Sequence, residues 1–229
     1  MRAYEIAVVV PFFAAMAMAA GALVSAARRA GVGAAMAGAV ALWLAIVFGL
    51  ARVGVFRRFD ALPPRVMVAA MACTAALVAF SRGAAGRRFV AAASLAGIAG
   101  LQCFRVPVEM ALHALYTREL VPVQMTWSGR NFDVLVGLTA PFVALALHRG
   151  RIGLRALAAW HVASLAMLVN IVATAAMSFP GPLRRFHEGV SAAVVAEAPF
   201  VWLPAFLVPV AAASHLVSLL EIARSHRDR

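Results

Sequence analysis

Four side chains able to do chemistry recur at helical spacing inside an apolar run: Gln102, Arg105, Glu109 and His113. Separations of three, four and four residues set them on one face of a helix. An ionisable group at membrane depth is costly and faces the interior of a bundle, where it marks a substrate or proton pathway. The guanidinium of Arg105 could clamp an anionic group, and Glu109 could exchange a proton. Glu109 and His113, at i and i+4, could act as an acid/base pair, or as metal ligands together with Asp133 or His187. The run His187-Glu188-Gly189-Val190-Ser191 is not the HExxH zinc motif, because position 191 is serine.

A second polar group, Arg130, Asn131 and Asp133, opens the next apolar segment, where Asp133 suits the positive end of a helix dipole. Counted from Phe89, Arg105 lies ~24 Å along its helix, and counted from Ile152, Asn170 lies ~27 Å along its own, at about 1.5 Å per residue. Arg105, Glu109, His113, Arg130, Asn131, Asp133 and Asn170 would then share one layer near the outer surface. The two arginines and two carboxylates among them sum to zero. A layer of this kind reads in two ways: as a paired network that only holds helices together, or as a pocket open to the outside. His161 and His215 fall at matched depth in the inner half of two antiparallel segments. Such a pair could ligate a haem, although no CxxCH attachment motif is present.

The elements that must position these groups follow from composition. Of 229 residues, 64% are hydrophobic and 13% charged, and the mean hydropathy is +0.91. Soluble domains are about 45–50% apolar and about 25% charged, so a soluble enzyme is excluded, and so is a disordered chain. An all-α polytopic membrane protein remains: one integral membrane domain, a bundle of seven transmembrane helices at about 3–27, 31–56, 65–81, 89–116, 129–148, 152–178 and 200–223. The first run exceeds the h-region of a secretory leader and is read as a span. All 21 basic residues are arginine. With no lysine amine there is no retinal Schiff base. The net charge of +12 is spread over short loops, which argues against a nucleic-acid partner. Cys73 and Cys103 sit in apolar runs and form no disulfide framework.

Eleven arginines fall on the side holding loops one, three, five and the C-terminus, against nine on the other. The positive-inside rule then sets the N-terminus outside and the C-terminus in the cytoplasm. Loops four and six share the outer side with the polar layer and could form a lid over it, the stretch 190–198 as a short interfacial helix.

Three phrases resemble a group of uncharacterised bacterial multi-pass inner-membrane proteins: Phe104-Arg105-Val106-Pro107-Val108-Glu109, then Met125-Thr126-Trp127-Ser128-Gly129-Arg130-Asn131-Phe132-Asp133, then Pro199-Phe200-Val201-Trp202-Leu203-Pro204-Ala205-Phe206. The resemblance implies a single-domain protein of the bacterial inner membrane and brings no activity or ligand with it. From the residues alone, the expectation is a small-molecule or ion-binding membrane protein, of which a transporter is one kind. Its partners are the lipid bilayer and a small anionic ligand or ion. A membrane enzyme using Glu109 and His113, and a structural or assembly subunit without a ligand, stand beside that reading. No cofactor is expected.

Overall fold

A computed structural model describes residues 3–187 and 189–227, with side chains except those of residues 3–5 and 226. Arg2 and Arg229, which enter the charge balance, and Glu188 of the His187–Ser191 run lie outside the described residues. Those described form helices and connecting turns, with no strand among them. Ala- and Leu-rich runs favour helix intrinsically. In an apolar solvent a helix is also one of the few ways to satisfy every backbone group.

The helices are α1 (Ala3–Arg29), α2 (Gly33–Arg52), α3 (Arg65–Arg82), α4 (Ala84–Ala93), α5 (Leu95–Leu101), α6 (Arg105–Tyr116), α7 (Asp133–His148), α8 (Leu154–Ala176) and α9 (Val208–Arg227). A 3-10 turn, Gln102–Phe104, joins α5 to α6, and a π-helical turn, Leu203–Leu207, leads into α9. Six stretches are long and apolar enough to cross a membrane: Ile6–Arg29, Gly33–Arg52, Arg65–Arg82, Leu95–Tyr116, Leu154–Ala176 and Leu203–Ser225. Helix α7 is apolar but has 16 residues. That is ~24 Å, short of the roughly 30 Å hydrocarbon core.

Three expected segments are corrected. The fourth is not one helix over 89–116. Ser94 takes a left-handed φ of 58° and breaks it, and its hydroxyl accepts the amide of Gly97 at 3.1 Å to cap α5. The span therefore starts at Leu95, and α4 is a separate short helix. The fifth starts at Asp133 rather than Gly129. Residues 126–132 are folded into turns, held by the amides of Gly129 and Asn131 on the carbonyl of Thr126. The second expected segment also ends early: α2 stops at Arg52, followed by a 3-10 turn at Val55–Arg57.

Helix α9 is central, packed against α3, α5 and α8, while α1 packs on α2 and α6, and α7 on α5 and α6. Two tryptophans stitch α2 to the start of α9. Trp202 Nε1 donates to the carbonyl of Leu44 at 3.0 Å, and Trp43 Nε1 to that of Ala205 at 2.8 Å. The second bond has a cause in sequence. Pro209, four residues after Ala205, has no N–H to give that carbonyl.

Candidate functional site

The arginine of the stripe lies at the centre of the bundle. Its new helix start puts Arg105 ten residues past Leu95, ~15 Å along a 22-residue span. That is mid-span rather than the outer half. His215, twelve residues into Leu203–Ser225, is ~18 Å from the other end of its span and so at a similar level. The expected separation into an outer charged layer and an inner histidine pair therefore closes up, and the two groups meet.

Arg105 is 2% exposed and His215 and His161 are fully buried. The guanidinium uses three of its nitrogens. Nε donates to Gln102 Oε1 at 3.1 Å, Nη1 to Asp133 Oδ1 at 2.8 Å, and Nη2 lies 3.0 Å from His215 Nε2. His215 Nδ1 is in turn 2.8 Å from His161 Nδ1. A guanidinium has donors only, so His215 accepts from it at Nε2 and carries its proton on Nδ1. His161 then accepts at Nδ1 and holds its proton on Nε2, an atom buried without a hydrogen-bond partner. Both rings are neutral in this arrangement. Two nitrogens flanking one metal would stand ~4 Å apart, at about 2.0 Å each; here they are at hydrogen-bond distance, so a bis-histidine haem does not fit between them.

Glu109, one turn on from Arg105, is 1% exposed. Both of its oxygens lie 2.7 Å from Nδ2 of the fully buried Asn131. That nitrogen is also 3.0 Å from the carbonyl of Met125, while Asn131 Oδ1 accepts the amide of Asp133 at 3.0 Å. The turn over 126–132 is what delivers Asn131. Its tightness needs glycine at 129, where a Cβ would fall 2.2 Å from the carbonyl oxygen of Val123.

The remaining expected residues are elsewhere. Arg130 is exposed, its guanidinium 5.3 Å from the centre of the Phe186 ring. Asn170 is exposed too, and its amide holds the Arg130 carbonyl at 2.7 Å. His113 is half-buried and stacks on Trp127, ring centres 4.3 Å apart. Among the described residues no group of three or more His, Cys, Asp or Glu could hold a metal.

Without Arg130 the charges no longer cancel. Arg105, Asp133 and Glu109 remain, with two neutral imidazoles. Asp133 takes the arginine, and among the described residues no cation is hydrogen-bonded to Glu109. An ionised Glu109 leaves the buried set at one net negative charge.

Glu109 and Asp133 also line a cavity of about 130 Å³ between α3, α6, α8 and the start of α9. Its other walls are apolar. Met125 from the fourth loop and Phe179 and Val195 from the sixth contribute to them, so both loops reach the cavity that the two carboxylates line. The stretch expected as an interfacial helix instead holds a 3-10 turn, Ala193–Ala196, with Val195 and Ala196 buried. Sequence spacing puts Gln102 on the face of Arg105, which it contacts, but leaves His161 and His215 out of the site. Ser94 was the signal that would have found them, since a serine ahead of an apolar run is an N-cap and resets the depth count. Comparison of the chain with protein-family models, curated proteins and solved structures gave no match.

Proposed function

We propose that this chain is an ion-binding integral membrane protein whose locus is the Glu109 carboxylate, and that the species bound is a proton or a small monovalent cation. One observation carries the reading. Glu109 is a buried acid beside a cavity, held by one neutral amide, in a cluster whose buried guanidinium, that of Arg105, is engaged by Asp133, Gln102 and His215. A buried carboxylate without a cation is costly; a proton or a cation removes that cost. The same facts count against a small anionic ligand at Arg105. They favour binding over acid/base catalysis by Glu109 and His113, because His113 is stacked on Trp127.

Seven crossings complete the reading, α7 being extended to the outer face by the folded 117–132 segment. The N-terminus is outside and the C-terminus cytoplasmic, on the strength of eleven arginines against nine. The three phrases that resemble bacterial multi-pass proteins support placement in a bacterial inner membrane.

The test uses the purified chain in detergent, wild type beside Glu109→Gln. Thermal unfolding is followed in sodium, potassium and butylammonium chlorides at one ionic strength, because a ligand that binds the folded state raises its stability. Infrared difference spectra of the two proteins at neutral pH report a protonated carboxyl. The expected result is one of two: a cation that stabilises wild type and not Glu109→Gln, or a carboxylic-acid C=O band present in wild type and missing in Glu109→Gln. An ionised Glu109 indifferent to all three cations overturns the proposal.

A further inference from the structure

The inner end of the bundle holds a second feature that the Glu109 site does not use. A cavity of about 310 Å³ lies between α1, α3, α4, α5 and α9, and one of about 720 Å³ between α1, α2 and α3. Leu23, Met36, Leu77 and Phe80 line both, so the two adjoin as chambers of one apolar cleft. Volumes of about 300–1,000 Å³ enclose a drug-sized molecule, and a flexible hydrocarbon chain is of that order.

The rim of this cleft is basic. Arg28 and Arg29 end α1, Arg82 ends α3, and Arg87 and Arg88 lie on α4; all five are exposed, and Arg29 lines the cleft itself. Among the described residues none of the five is in an ion pair, since the salt bridges present join Arg57 to Glu197, Arg105 to Asp133 and Arg224 to Glu221. Arg29 Nε is spent on the carbonyl of Ala92 at 3.3 Å, and among the described residues its two terminal nitrogens take part in no hydrogen bond.

Helix α4 joins the two halves of the feature. Its Arg87 and Arg88 face solvent, while Phe89, Val90 and Ala93 line the cleft. That is the build of a helix lying in the plane of a membrane interface, with its basic face toward headgroups and its apolar face toward acyl chains. Gly86 makes the close fit to α3, as a Cβ there would fall 1.8 Å from the carbonyl oxygen of Phe80.

We infer that this cleft is a binding site for an anionic phospholipid, one acyl chain between α1, α2 and α3 and the headgroup phosphate on Arg29 and its arginine neighbours. Arginine forks match phosphate geometry, and basic pockets between spans on the cytoplasmic side take acidic lipid headgroups. The site is independent of Glu109 and of what binds there.

Native mass spectrometry of the full chain in detergent tests it, with dioleoylphosphatidylglycerol as probe and dioleoylphosphatidylcholine as control. Wild type is expected to retain one phosphatidylglycerol in preference to phosphatidylcholine. Arg29→Gln should lower that retention about fivefold, from about 1 kcal/mol per basic residue near a headgroup. Ala76→Phe, which sets a ring into the larger cavity and leaves every charge in place, should lower the retention of the single lipid. A thermal midpoint for each variant in lipid-free detergent shows that the fold is intact. Equal retention of the two lipids by wild type, or retention unchanged in Ala76→Phe of unchanged midpoint, overturns the proposal. Should Ala76→Phe fail to fold, Arg29→Gln together with Arg87→Gln decides it: preference lost supports the site, preference kept overturns it.

Discussion

The amide nitrogen of Asn131 stands 2.7 Å from each carboxylate oxygen of Glu109. With Met125 it faces three acceptors and has two hydrogens to give. Asn131 is therefore both the partner of Glu109 and the brace of the turn that opens α7. Asn131→Ala is expected to cost about 1–3 kcal/mol, the range for leaving a buried acceptor unmet. Asn131→Asp should cost more, since it sets one carboxylate against another in place of a donor. Denaturant unfolding of both variants in detergent measures the order; equal stability would show that the Asn131–Glu109 contact does not form.

The ion pair of Arg105 with Asp133 is 2.8 Å long, between side chains 2% and 8% exposed. Removing one member of such a pair costs about 3–5 kcal/mol, because the other is left charged and buried, while replacing both by apolar groups of similar volume is near neutral. Arg105→Met and Asp133→Leu should each destabilise strongly, and the double variant less than either. The same unfolding experiment reads this. Additive losses would mean that the pair is not coupled.

The chain from Arg105 through His215 to His161 sets the protons on both rings. The nitrogen NMR shifts of selectively labelled histidines are expected to report His215 as the Nδ1–H form and His161 as the Nε2–H form. Arg105→Met should release His215 from this constraint and change its tautomer population, with His161 following. A cationic His215 in the wild-type protein would rule out acceptance from Arg105.

How legible all this was depends on what a count along the chain can measure. Six of the seven expected spans are matched by helices long and apolar enough to cross a bilayer, because length and apolarity are what a bilayer demands; the fifth, α7, is too short. The meeting of residues 105, 109, 131 and 133 was legible too, because i, i+4 spacing and a short connection leave few other arrangements. What was lost is depth. One serine out of helical register moved the start of a span from Phe89 to Leu95, ~9 Å by helical rise, and so separated Arg105 from histidines it touches. Arg130 was misplaced for a related reason. A count along the chain puts it in the first turn of a helix, whereas it belongs to a turn whose side chains fan out, Asn131 inward and Arg130 toward Phe186.

Trp43 and Pro209 offer a separate check on how α9 is held. Pro209 withholds the N–H that an α-helical register would give the carbonyl of Ala205, and Trp43 Nε1 supplies one from α2 at 2.8 Å. Trp43→Phe removes the donor and keeps most of the ring. Interhelical hydrogen bonds in a bilayer are worth about 0.6 kcal/mol on average and up to about 1.7. Loss of ring area adds to the single-variant effect, so the cycle with Pro209→Ala is the better measure. Restoring the backbone donor should make Trp43→Phe less damaging by about 0.6–1.7 kcal/mol, the worth of one such bond. Unfolding free energies of wild type, both single variants and the double variant give the coupling. A coupling of zero would mean that the Ala205 carbonyl has another donor, and that Trp43 stabilises α2 against α9 by its ring area alone.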